Sequence, residues 1–273
     1  KADGENDDIA IALEELYQPR FAGDKLPKTL LGQCLSISEK IDNLIGIFSI
    51  GKAPTGDKDP FALRRSAIGI LRIIIECEID IDLKNLLSIA ASNFPDKNQS
   101  LNCIDDVYTF LMERLRYYYR DEGFSTDVFE SVLVINTSKP LDFHYRMVAV
   151  AEFRKLIEAK SLAAANKRTS NLLKKSGEID SVKIKDNLLV EEAEINLANT
   201  LKNYKKIIAP MIKNRNYKSA LSKLAELRKV VDDFFDNVMV LCDEPELKKN
   251  RLTLLSNLNS LFLEIADISK LQD

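Results

Sequence analysis

Apolar residues recur at helical spacing through almost the whole chain, a period that suits packed helices and does not fit alternating strands. Leu63, Ala67, Ile70, Leu71 and Ile74 share one face, and Asp59 followed by Pro60 is a good helix start, so a helix is predicted over residues 60–77. Pro95, Asp96 and Asn98 mark a loop. Val107, Phe110, Leu111 and Leu115 then restart a helical stripe that ends near Gly123. After a break at Ser138–Pro140, Met147, Val150, Phe153 and Arg154 lie on another helix, which reads as a bridge between two halves. Further breaks are predicted near Ser176 and Gly177, near Pro210, and from Asp243 to Pro245. Between the last two, Tyr217, Leu221, Leu224, Val231, Phe235 and Val238 form one stripe. Leu247, Leu254, Leu258, Leu261 and Ile265 form the next, and the two helices are expected to pair antiparallel. The reading is all-α, in two helical domains.

At 273 residues, two compact units are the natural expectation. The chain starts at Lys1 instead of a methionine, so it is expected to be a fragment of something longer. No apolar run reaches the roughly 18 residues of a membrane span, and the acidic start, Asp3–Asp8, is unlike a signal peptide. A cytoplasmic protein with no membrane partner is expected. Cys34, Cys77, Cys103 and Cys242 are far apart and read as buried free thiols. The net charge of -3 hides a split: residues 1–159 carry 19 basic and 26 acidic side chains, residues 160–273 carry 20 and 16. Any polyanion should therefore meet the C-terminal half.

Catalytic chemistry has little to build on. The single histidine, His144, has no zinc-like ligand set around it, and there is no close cysteine pair or nucleophile elbow. The stretch from Gly51 to Lys58 imitates a phosphate loop, yet Asp57 stands where the phosphate-binding lysine belongs. A turn leading into the helix capped by Asp59 is the better reading. No catalytic residue, metal site or cofactor is predicted.

Basic residues point elsewhere. Between Ile195 and Glu226 stand Lys202, Lys205, Lys206, Lys213, Arg215, Lys218 and Lys223 with no acid among them, interleaved with Tyr204 and Tyr217. A second run places Lys167, Arg168, Lys174 and Lys175 among Asn166 and Asn171. Cations hold phosphates, amides read base edges, and aromatic rings stack on unpaired bases. The RNA-contact candidates are Asn166, Lys167, Arg168, Asn171, Lys175, Lys205, Lys206, Arg215 and Lys218. The cluster of Arg114, Arg116, Tyr117, Tyr118, Tyr119 and Arg120 has similar composition, but Glu113, Asp121 and Glu122 beside it favour packing. Phe234, Phe235, Val238 and Met239 are expected in the core, with Arg228 and Arg251 in structural ion pairs.

Several long strings resemble the beta subunit of bacterial glycyl-tRNA synthetases: YQPRFAGDKLP at 17–27, GIFSIGKAPTGDKDPFALRRSAIGILRI at 46–73, RDEGFSTDVFESVL at 120–133, PLDFHYRMVAVAEFRKL at 140–156 and LAAANKRTSNLLKK at 162–175. The VDDFFDNVMV string at 231–240 and Asn250, Arg251 and Leu252 beyond it also resemble the helical anticodon-binding domain shared with arginyl-tRNA synthetases. The resemblance implies the later part of an HD-like helical domain at 1–125, a connecting helical segment at 126–159 and an anticodon-binding-like domain at 160–273. It further implies a tetramer of two alpha and two beta chains, with ATP and glycine handled by the alpha subunit and glycine tRNA, not DNA, held largely by beta. The metal-binding histidine of active HD domains is missing from residues 1–125. A fragment with no catalysis of its own is therefore expected, its alternative being a helical scaffold for subunit assembly.

Overall fold

The computed structural model describes residue 4, residues 6–176 and residues 183–271. Among them there are helices and turns and no β-strand, as the periodicity predicts. The chain forms two compact units. One runs to Gly123 and takes in Thr137–Asp142; the other comprises Phe124–Asn136 and everything from Phe143.

The first unit is built from α1 (Asp7–Glu15), α2 (Leu30–Ser49), α3 (Leu63–Glu76), α4 (Leu83–Ser92), α5 (Lys97–Asn102) and α6 (Ile104–Asp121). Helix α2 packs chiefly on α3 and α1, and α3 on α6. Its core is the predicted stripe: Leu63, Ala67, Ile70, Leu71 and Ile74 of α3 are fully buried with Leu44 and Ile45 of α2 and Val107, Leu111 and Leu115 of α6. Each large side chain withdrawn from water contributes about 1.5–3 kcal/mol. Helix α3 starts three residues later than predicted, because Ala62 takes a left-handed φ of 55°. Asp59 still caps it from a distance, its two carboxylate oxygens accepting the amides of Leu63 and Arg64 at 2.9 and 3.0 Å. The Gly51–Lys58 stretch is a turn, closed by Thr55 and Lys58.

The second unit holds α7 (Thr126–Leu133), most of α8 (Pro140–Phe153), α9 (Ala159–Ser176), α10 (Glu192–Lys213), α11 (Tyr217–Ala225), α12 (Arg228–Asn237) and α13 (Pro245–Leu263), with 3-10 turns at Asp186–Leu188 and Ile268–Lys270. Helix α13 packs on α9 and α10, and α12 lies against the same two helices. The core includes Phe153, Leu162, Leu197, Leu221, Leu224, Phe234, Leu254, Leu258 and Phe262.

Several boundaries differ from expectation. The segment 126–159 is not a separate connector: residues 137–142 belong to the first unit and the remainder to the second, and the division falls inside α8. The cause is burial, since Val128, Phe129 and Val132 of α7 and Phe143, Met147, Val150 and Phe153 of α8 are core residues in their own right. Pro210 does not end α10, which continues to Lys213. Pro210 and Lys206, the residue whose carbonyl the proline cannot serve, are both exposed. The break falls at Asn214–Asn216 instead, where Arg215 has a φ of 55°.

The stripe from Tyr217 to Val238 is two helices. Glu226 and Leu227 donate to the carbonyls of Lys223 and Leu224, a tight turn that lets α11 and α12 each lie on α10. The long antiparallel pair with α13 is thereby replaced by packing of α13 on α9 and α10. The expected break at Gly177 lies outside the described residues. Met239 is not core but 74% exposed, and Phe235 is only half-buried, whereas Phe234 and Val238 are buried. Of the four cysteines, all free, only Cys103 is buried and Cys34 is exposed.

Candidate nucleic-acid interface

Helix α9 has 18 residues and carries Lys160, Lys167, Arg168, Lys174 and Lys175 with no acidic side chain. Its inner face is set by Leu162, Asn166 and Thr169, all buried, at a spacing of four and then three residues. That geometry corrects one candidate. Asn166 is fully buried and its amide donates to the Leu162 carbonyl at 2.9 Å, so it cannot present a base-reading edge to solvent. The opposite face presents Lys167, Asn171 and Lys175 one helical turn apart, with Arg168 and Lys174 beside them, all exposed. The Arg168 guanidinium lies 4.5 Å from the centre of the Phe235 ring of α12, a cation–π contact that steadies it.

The second group of candidates is on α10 and at its corner with α11. Lys205 and Lys206 are exposed on α10, and Lys202 and Lys213 accompany them. Arg215 is half-buried in the strained corner residue, and Lys218 is exposed with its ammonium 3.9 Å from Glu152. Tyr204 is half-buried, its hydroxyl donating to Glu226 at 2.9 Å, and Tyr217 is core. Tyr217 meets Arg146, whose guanidinium donates to its hydroxyl and to the carbonyls of Glu264 and Ile265.

Helix α12, which carries Asp232, Asp233 and Asp236 beside Arg228 and Lys229, packs against both α9 and α10. The candidates therefore lie on two helices that share this neighbour. Asp232 accepts from Ser161 at 2.6 Å and lies 3.4 Å from Arg228.

A buried ion pair holds this arrangement in place. Arg251 of α13 donates to Glu194 of α10 at 2.7 Å, and both side chains are almost completely buried. Glu194 also accepts the amides of Val190 and Glu191, closing the capping box of α10, while Arg251 reaches the Met239 carbonyl. Burial alone would push the Glu194 carboxyl up, but the bonds from Arg251, Glu191 and Val190 outweigh it and hold the group below its ordinary value. Among the described residues, no cluster of His, Cys, Asp and Glu is placed to hold a metal ion, and no helix is long and apolar enough to cross a membrane.

Reasoning from charge alone misses two features that the sequence carries. Asn166 stands four residues after Leu162 and three before Thr169, on the stripe the helix buries. Asn196, Asn199 and Asn203 stand among the lysines of α10, and all three are exposed.

Comparison with known proteins fits this geometry. Residues 1–134 match the family described as glycyl-tRNA synthetase beta subunit, and residues 162–270 match the DALR anticodon binding domain. The glycine–tRNA ligase beta subunits of Pseudoalteromonas translucida and Escherichia coli O139:H28 are each 49% identical over 270 residues, and that of Citrobacter koseri is 48% identical. These alignments take in 99% of this chain but 39% of each relative's length. The chain belongs to the glycyl-tRNA synthetase beta-subunit family over residues 1–134 and carries a DALR anticodon binding domain over residues 162–270.

Proposed function

We propose that the second unit binds glycine tRNA through the exposed basic faces of α9 and α10, and that it acts by positioning the tRNA, not by making or breaking bonds. The observation that carries this reading is the acid-free outer face of α9, with Lys167, Asn171 and Lys175 in line and Arg168 steadied on Phe235. Phosphate binding draws on such uncompensated cations. In the complete enzyme, ATP and glycine would be activated by an alpha subunit, the bound tRNA presenting its acceptor end there, and the compartment would be the cytoplasm. The first unit has large apolar side chains exposed at Leu13, Tyr17 and Leu30, which suits it to hold protein partners.

The test is a salt titration of glycine tRNA binding by the full-length enzyme with Lys167, Arg168 and Lys175 replaced by alanine. Affinity should fall, and the slope of log affinity against log salt should flatten by roughly 0.7–0.9 for each phosphate that is no longer neutralised. Helical content should stay the same. Unchanged affinity and slope would remove α9 from the interface.

A further inference from the structure

The inner face of α10 is set by Ala193, Glu194, Leu197, Leu201 and Ile208, all buried. Directly opposite, Asn196, Asn199 and Asn203 fall at spacings of three and four residues on the exposed side, and Lys202 and Lys206 flank them. Asparagine ranks well below alanine, lysine and glutamate as a helix former, because its amide competes for the backbone. Three of them in the exposed middle of a 22-residue helix therefore run against local preference. Where a solvated face departs from what its secondary structure favours, a function is the usual reason.

We propose that Asn196, Asn199 and Asn203 form a ladder that reads the edges of unpaired RNA bases, while the lysines of α9 and α10 hold the phosphates. This rests on the tRNA-binding reading above and divides its labour. A side-chain amide offers a donor and an acceptor side by side, the pair that can match a base edge, whereas a lysine ammonium is a point charge that distinguishes one nucleotide from another poorly. The ladder rises about 10 Å along the helix, enough to face roughly three nucleotides of one strand. From Ile195 to Lys213 the helix has no acidic side chain to repel the backbone. Glu192 precedes the ladder by one turn, in the first turn of the helix, where a carboxylate complements the dipole. Unpaired loops, unlike duplex RNA, leave their base edges open to such contacts.

The test compares two RNAs on the full-length enzyme, glycine tRNA and a transcript of it whose unpaired loop bases have been exchanged. The variant is Asn196→Ala, Asn199→Ala and Asn203→Ala together, with Asn199→Ala alone beside it. The wild type should prefer the natural tRNA, and the triple variant should lose about tenfold or more of that preference with its salt slope unchanged. The single variant should lose part of it. Thermal stability should not fall, since alanine is the better helix former. Retained preference, equal loss of affinity for both RNAs, no preference in the wild type or a lowered melting temperature would each overturn the ladder. Failure of the wild type to bind either RNA would overturn the tRNA-binding reading itself.

Discussion

In the first unit, Glu15 and Lys40 are buried against neutral dipoles, whereas in the second Glu194 is buried against the opposite charge of Arg251. Glu15 is buried against the amides of Lys28 and Thr29 and the Thr29 hydroxyl, and the Lys40 ammonium donates to the carbonyls of Leu16 and Gln18 and to Ser36. In the second unit Glu194 is met by Arg251. The difference bears on function. By pairing ions inside its core, the second unit locks α10 to α13 without placing an acid on the outer face of α9 or on that of α10 beyond its first turn, where the positive charge remains available to a polyanion.

Breaking the ion pair should have the largest effect. Arg251→Ala leaves Glu194 charged and buried without its partner, at a cost of about 3–5 kcal/mol, and hydrogen exchange should rise through α10 and α13 while the first unit keeps its protection. Equal loosening in both units would sink the distinction. Lys40→Met should cost less, about 1–3 kcal/mol, because the groups left without a donor are neutral carbonyls, and its effect should be confined to α1 and α2.

The smallest expected change is with pH. The carboxyls of Glu15 and Glu194 are both held below the ordinary value of 4.5: burial pushes each up, and bonds from Thr29 and Lys28 in one case, and from Arg251, Glu191 and Val190 in the other, more than reverse it. A folded-state value below the unfolded one gives stability that is present above pH 4.5 and lost as pH falls through the folded-state value. Acid unfolding followed by circular dichroism should therefore weaken both units. Glu194→Gln should flatten the dependence in the second unit alone, and Glu15→Gln in the first alone.

Much of the helical plan could be read from spacing. The α3 and α6 stripes, the loop at Pro95 and the start of α13 at Pro245 follow from apolar period and from residues that cap or break helices. The boundaries failed where tertiary contacts overrode local signals. Pro210 was absorbed because it lies near a helix end beside solvent, and the stripe from Tyr217 was folded in two because both halves could pack on α10. The candidate site was legible as a set of cations and only partly as a surface. Helix α9 is rich in alanine, so its apolar stripe is weak, and Asn166 looked as available as Asn171.

By itself, the sequence determined an all-helical chain, acidic in front and basic behind, with two runs of cations free of acids; composition and period carry that information without reference to any neighbour. Which face of α9 is buried was decided only by packing. Asn166 is buried on a helix that α12, α13 and the Ile268–Lys270 turn all pack against, and α12 also contacts α10, the other basic helix. These are contacts between residues distant in the chain, which no local pattern encodes.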